Sequence, residues 1–456
     1  LRALDLFAQK ENIMRPVIGI IAASMTFLSA ATAFAQPALI GKIEITGSSA
    51  GEGMDLSGLF GNLESGVPKA VLGGMGSGIA YAGDNTLLTL PDRGPNAKEY
   101  NGKIDNTTSY IPRFNTLKLD FKPAPAGSAL PLAATATIEK TTLLYNPTQL
   151  VYGAGTGLDV GNGAPSENAA GKFYFSGRSD NFDASKNSCN PDNARFDSEG
   201  IRLSADGKTV YISDEYGPYL YGFDRETGAR SKAFSLPDNL CAAKLGPVGD
   251  DEIAANTAGR TSNKGMEGLA ITPDGKTLVG AMQAALIQDA KDAKKLVRLV
   301  TVDIATGKTR EFAYKLTDGS GISEILAVNN HQFLVDERDG KGLGDESDAK
   351  AKKLFLIDLD GAKDVTDMPA KDAKAVAVKK VEFLDLVSAL ATAGITPDKT
   401  PSKIEGIAFG PDATVDGKTM HTLLVANDND FVAEDSGPNL IYVFGITDAD
   451  LPGIKE

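Results

Sequence analysis

A chain of 456 residues with 60 acidic against 46 basic side chains carries a formal charge of −14, and 42% of it is apolar. The apolar share suffices for a large core and excludes wholesale disorder; the acidic balance excludes nucleic acid or an anionic membrane as the main partner, because neutralising phosphates takes clustered Lys and Arg. Two cysteines and two histidines, His331 and His421, cannot build a four-cysteine or multi-histidine zinc site, so any metal here must be held by oxygen.

Met14-Arg15 opens an apolar stretch that begins at Val17 and closes on Ala33-Phe34-Ala35 before Gln36-Pro37. A charged start, an apolar run and a small-residue cleavage site mark a secretory leader. The expected division is residues 1–35 for the leader and what lies upstream of it, and 36–456 for one domain. That domain is expected in the periplasm or outside the cell, with no membrane association after cleavage. An oxidising compartment permits Cys189 and Cys241, which flank one repeat unit, to form a disulfide; two unpaired thiols without a catalytic role are the alternative.

From there on, short β-branched and aromatic runs alternate with Asp-Gly, Asn-Asn and Thr-Gly turns, the signature of many short strands. The pattern repeats. Glu199-Gly200-Ile201 leads to Asp206-Gly207-Lys208, and Glu267-Gly268-Leu269 leads to Asp274-Gly275-Lys276 at the same interval. Glu405-Gly406-Ile407 reaches Asp412 and a delayed turn at Asp416-Gly417, Glu324-Ile325-Leu326 reaches Asn329-Asn330, and Ser77-Gly78-Ile79 reaches Asp84 with Ser in the Glu position. The gap between Ser77 and Glu199 is about twice the usual one, which leaves room for a further unit around Leu143 to Ser176. Repeats of this length with about four antiparallel strands each predict an all-β fold, a single β-propeller of six blades, with five or seven as the alternatives. One helical pattern, Phe383 to Ala393, reads as an excursion between blades.

In a propeller the first strand of each blade lines the channel and the second runs antiparallel beside it. The hairpin spacing then places Glu199, Glu267, Glu324 and Glu405 at one channel mouth, with Asp92, Asp214, Glu337 and Asp428 beside them. Met282 and Asn427 fall at equivalent positions, and Arg93, Arg338, Lys264 and Lys403 add positive charge to the same rim. Crowded carboxylates raise one another's pKa unless a cation balances them, and a hard divalent ion, chiefly calcium, suits such a ring. The competing reading makes each Glu a pin that bonds backbone amides of the next blade. Asp345-Glu346-Ser347-Asp348 and Asp428-Asn429-Asp430 are acidic loops able to touch calcium locally, without an EF-hand pattern.

Asp92-Arg93-Gly94-Pro95, Asp197-Ser198-Glu199-Gly200-Ile201, Ser213-Asp214-Glu215-Tyr216-Gly217-Pro218, Lys264-Gly265-Met266-Glu267-Gly268-Leu269, Glu337-Arg338-Asp339 and Lys403-Ile404-Glu405-Gly406-Ile407 together resemble the phytase-like family of secreted bacterial proteins with esterase-like activity. The resemblance runs from about Gly73 to Phe444 and implies a β-propeller that hydrolyses phosphoric esters. On this reading Glu267 or Asp214 holds the metal or acts as base, Arg93 or Arg338 clamps a small anionic substrate such as a phosphate ester, and the protein works as a monomer. A lactonase-like or carboxyl-ester hydrolase and a non-catalytic calcium-binding propeller are the alternatives. The single G-x-S-x-G match, Gly47-Ser48-Ser49-Ala50-Gly51, is not followed by a helix pattern and reads as loop rather than nucleophile elbow. The run Gly73 to Gly78 lacks a P-loop lysine and reads as close backbone packing.

Overall fold

The computed structural model describes residues 37–45, 54–153 and 158–454. The expected leader and the Gly47–Gly51 match lie outside them. The described chain forms five sheets of four or five antiparallel strands and one two-stranded ladder. The first four sheets follow chain order, and their inner strands are Gly78–Tyr81, Ser198–Leu203, Met266–Ile271 and Gly321–Ala327. The fifth begins with Ile404–Phe409, continues through Lys418–Asn427 and Asn439–Ile446, and takes its outer strand, Ala38–Ile45, from the other end of the chain. Each inner strand touches the next, and the fifth touches the first, which closes a ring.

The ring therefore has five blades, and the expectation of six is corrected. Among the described residues the long interval after the first blade holds one two-stranded ladder, Tyr145–Asn146 with Phe173–Tyr174, beside Ala229 of the second blade, and a few isolated bridges. Gly, Asn and Pro recur through that interval and are poor strand formers. The helix expected over Phe383–Ala393 is shorter. Lys380–Asp385 completes the fourth blade as a strand, and the helix spans Leu386–Thr392, its first turn capped by the Asp385 carboxylate accepting from Ser388 N.

Inner strands are buried on both faces because each blade lies between two others; Leu269, Leu278, Val300, Ile325 and Val335 are all fully buried in one such contact. Close approach at the axis leaves no room for a side chain at Gly78, Gly200, Gly268 and Gly406 in four of the blades. A Cβ on Gly78 would lie 2.3 Å from Glu199 O, and one on Gly200 would lie 2.6 Å from Leu269 N. The channel is plugged between its ends by Arg202, which donates to the carbonyls of Ile79, Ile201, Ile325 and Ile407 and stands 3.1 Å from Glu324. Cys189 and Cys241 are joined as a disulfide.

Candidate functional site

The acidic residues reach the mouth because the inner strands are bulged there. Ser198 pairs with Asp214 and Ile201 with Ile212, so Glu199 and Gly200 together face Ser213; the ladder is likewise interrupted at Glu267, between Met266 and Gly268, and at Glu405, between Ile404 and Ile407. A bulge re-aims the extra side chain out of the ladder. Here it turns Glu199, Glu267 and Glu405 into a cavity of about 200 Å³ that also receives Asp92, Glu215, Gln283, Arg338 and Asp428 from the loops leaving the second strands, together with Arg93, Asn263, Lys264 and Lys403.

Of the expected ring, Glu199, Glu267, Glu405, Asp92, Asp428, Arg93 and Arg338 meet in this cavity, and three residues do not. In the fourth blade the bulge falls on Ser323, between the pairs Ile322 with Glu337 and Glu324 with Asp336. Glu324 therefore stands where the other blades have glycine, one residue past the mouth, and accepts from Leu269 N and Ile325 N while pairing with Arg202. Glu337 faces away: it accepts from Tyr314, from the amides of Thr317, Asp318 and Gly319, and from Lys380. Asp214 accepts from Asp197 N and Gly217 N, both at 2.6 Å, and so shapes the loop edges carrying Asp197 and Glu215 without lining the cavity. The mouth positions are the next residues along, Glu215, Arg338 and Asp428, because Asp214, Glu337 and Asn427 stay in the ladder opposite Ser198, Ile322 and Ile404.

Two groups of three carboxylates result, each with one oxygen per residue within 4.8 Å of the others: Asp197, Glu199 and Glu215, and Asp92, Asp428 and Asp430. Arg93 joins them, its Nη1 lying 3.0 Å from Asp197 Oδ2 and its Nη2 3.8 Å from Glu215 Oε2. Arg338 donates to Glu405 at 2.6 Å and lies 3.7 Å from Glu267. Burial, then the neighbouring Glu267 and Asp197, pushes the Glu199 carboxyl well up; burial and the carboxylates of Glu215 and Glu405 do the same to Glu267. Burial raises Asp197 to about 6 and Glu405 to about 7, against the opposing pull of Arg93 and Arg338 respectively. Six carboxylates and four basic side chains line the cavity itself, so it favours uptake of protons or a cation.

The donor set fits a hard cation. Glu215 Oε1 and Glu267 Oε2 are buried without a hydrogen-bond donor, Asp197 Oδ2 is met by Arg93 Nη1 at 3.0 Å, and all the candidate ligands are oxygen. Asp197 and Glu215 occur in motifs visible in the sequence but had no role there; their signal was adjacency to the repeated Glu and Asp. Neither histidine is near. His331 pairs with Asp358, and His421 pairs with Asp412 and Asp448 and lines a separate cavity at the far end of the channel.

Residues 70–431 match the family described as phytase-like, esterase-like activity of phytase. The chain belongs to that family. A phytase-like identity is also consistent with the order of motifs along all five blades. A relative described as an uncharacterized secreted protein of Arthroderma benhamiae is 32% identical over 178 residues, which cover 32% of this chain and 34% of that protein. It is fungal, whereas the motifs pointed to a bacterial group, and the chain spans about a third of its length. Among solved structures, hydrazine synthase of Kuenenia stuttgartiensis (TM-score 0.32, 10% identity, 78% of each chain) and a PQQ-bound aldose sugar dehydrogenase of Streptomyces coelicolor (TM-score 0.32, 13% identity, 86% of this chain and 82% of that one) are similar only at a level that carries no argument.

Proposed function

We propose that this phytase-like propeller is an exported hydrolase of phosphate esters that works with a divalent cation, calcium foremost, at the carboxylate-lined mouth. The observation that carries the reading is the pair of buried carboxylate oxygens without a donor, contributed by Glu215 and Glu267, beside Asp197 and Glu199. Export is supported by the leader pattern over Met14 to Ala35 and by the relative described as secreted; no helix among the described residues is long and apolar enough to cross a membrane.

Asp197, Glu199 and Glu215 would hold the cation, which when bound supplies Lewis acidity toward the ester oxygen. Glu267, 4% exposed and with a free Oε2, is placed to take a proton from water and return it to the leaving group. Arg338 keeps Glu267 and Glu405 apart and oriented by standing between them. Lys264 is exposed on the rim and makes no ion pair among the described residues, which leaves it to meet an anionic group. A neighbouring cavity of about 320 Å³ shares Arg93 and Asn263 with the mouth and offers space for the rest of a substrate.

The surplus of carboxylates over basic groups favours a second reading, hydrolysis of a neutral lactone or carboxyl ester, because such a substrate meets no repulsion. Assaying the purified protein with phytate, simple phosphate monoesters, lactones and carboxyl esters, with calcium and with chelator, separates the two. Calcium-dependent release of phosphate is expected, turnover confined to neutral esters selects the second reading, and no turnover of any of them sinks both.

A further inference from the structure

The two carboxylate triads are not equivalent. In the Asp92, Asp428 and Asp430 group, Asp92 Oδ1 accepts from Gly94 N at 2.8 Å and Asp428 Oδ1 from Asp430 N at 2.7 Å. The Lys403 ammonium donates to Asp428 Oδ2 at 3.1 Å and to Asp430 Oδ1, so one point charge with three donors already sits among these oxygens. None of the three residues has a buried side-chain oxygen without a donor. In the Asp197, Glu199 and Glu215 group the nearby cation is Arg93, whose Nη1 stands 3.0 Å from Asp197 Oδ2 and whose Nη2 stands 3.8 Å from Glu215 Oε2, while Glu215 Oε1, on a residue 2% exposed, has no hydrogen-bond donor.

We infer that the mouth binds a single divalent cation, at Asp197, Glu199 and Glu215, and that the Lys403 ammonium is a built-in cation that occupies the second triad and keeps a second metal out. This rests on the cation-dependent reading above and fixes the number and place of the ion. It also removes Lys403 from the groups available to a substrate anion, since its ammonium is committed to two aspartates.

Calcium content after equilibration in calcium-buffered solution, together with titration calorimetry, tests this on the full protein, with far-UV circular dichroism and gel filtration to certify folding. The wild type is expected to bind one calcium per chain. Glu215→Gln should weaken that site at least tenfold, and Asp430→Asn should leave it within about twofold. Lys403→Met, with Lys403→Gln as the second variant, should raise the stoichiometry to two. Two ions or none in the wild type, loss of the ion in Asp430→Asn, retention of full affinity in Glu215→Gln, or a folded Lys403 variant that still binds one would each overturn the inference. Should neither Lys403 variant fold, the wild-type count and the Glu215 and Asp430 variants decide. Calcium-dependent turnover with two ions bound defeats the inference and spares the hydrolase, whereas one ion at Glu215 without turnover does the reverse.

Discussion

The same five inner strands build both ends of the channel, yet the ends share almost no chemistry. Where the strands begin, their bulges project Glu199, Glu267 and Glu405 into a small polar cavity. Where they finish, Tyr81, Leu203, Ile271, Leu326 and Phe409 line an apolar cavity of about 540 Å³. Arg202 and Glu324 lie between, and the carbonyls of four blades close on the guanidinium. A propeller repeat thus does not distribute function evenly along its axis. On the inner strands the bulges sit at one end only, and that end collects the carboxylate cluster, while the other end is lined mainly by apolar side chains with His421 and Asp412 at its edge.

The sharpest way to break this contrast is at Glu267. Glu267→Gln should lower kcat by about 10²–10⁴-fold, the range for removing a positioned acid or base, in a steady-state assay on whichever ester proves to be the substrate. Thermal stability should hold, because the change removes a buried charge that its neighbours Glu215 and Glu405 disfavour. Loss of stability with unchanged kcat would make Glu267 a structural pin.

Next in size is the partition itself. Arg202→Met leaves the Glu324 carboxylate buried without its partner and should cost about 3–5 kcal/mol in urea unfolding. The double change Arg202→Met with Glu324→Gln should recover much of it. A loss below about 1 kcal/mol for the single change would show that the plug is not what holds the two ends apart.

The mouth and the plug should also respond to pH. Burial raises the carboxyls of Asp197 to about 6 and of Glu405 and Glu324 to about 7. Raised carboxyl pKa values mean that the folded state keeps protons the unfolded chain has released, so their contribution to stability is complete below about pH 4 and lost as pH rises to about 7. In chelator, Tm should therefore fall across that window, and excess calcium should flatten the fall by replacing the protons. Below about pH 4 the trend reverses. Burial acts to raise the Glu252 carboxyl, but Arg260 and Arg195 outweigh it and hold the group at about 2, so acid removes that contribution. A calcium-insensitive Tm profile between pH 5 and 7 would separate these carboxyls from cation binding.

The smallest effect belongs to the far end. Phe409→Ala should leave kcat/KM within about twofold and cost no more than about 1–3 kcal/mol for its partly buried ring. A large loss of activity there would mean that substrate reaches the channel from the side assigned to packing.

The strand repeat, the hairpins and most of the mouth were legible in the sequence because turn chemistry and the Glu-Gly anchors recur. What was not legible follows from register: where a ladder ends, and where a bulge adds a residue, leaves no mark in the local pattern. Counting across the hairpin selected Asp214 and Glu337, which stay in the ladder opposite Ser198 and Ile322, whereas Glu215 and Arg338, one residue on, reach the mouth. In the fourth blade Ser323 takes the anchor position, and Glu324, though it looks like an anchor, falls in the glycine position. The blade count failed for a different reason. Spacing measures chain length, and the interval before Asp197 spends its length on loops around a short ladder.

The outer strand of the last blade carries a consequence of its own. Ala38 lies opposite Gly445 and Ile45 opposite Asn439, so two segments from opposite ends of the chain must find each other before the circle closes. Blades one to four can assemble from neighbouring hairpins as the chain emerges, whereas this latch is the contact of greatest sequence separation and the slowest to form. Until it does, Asn439–Ile446 presents an unpaired, wholly buried-type edge, the kind of surface that recruits other chains.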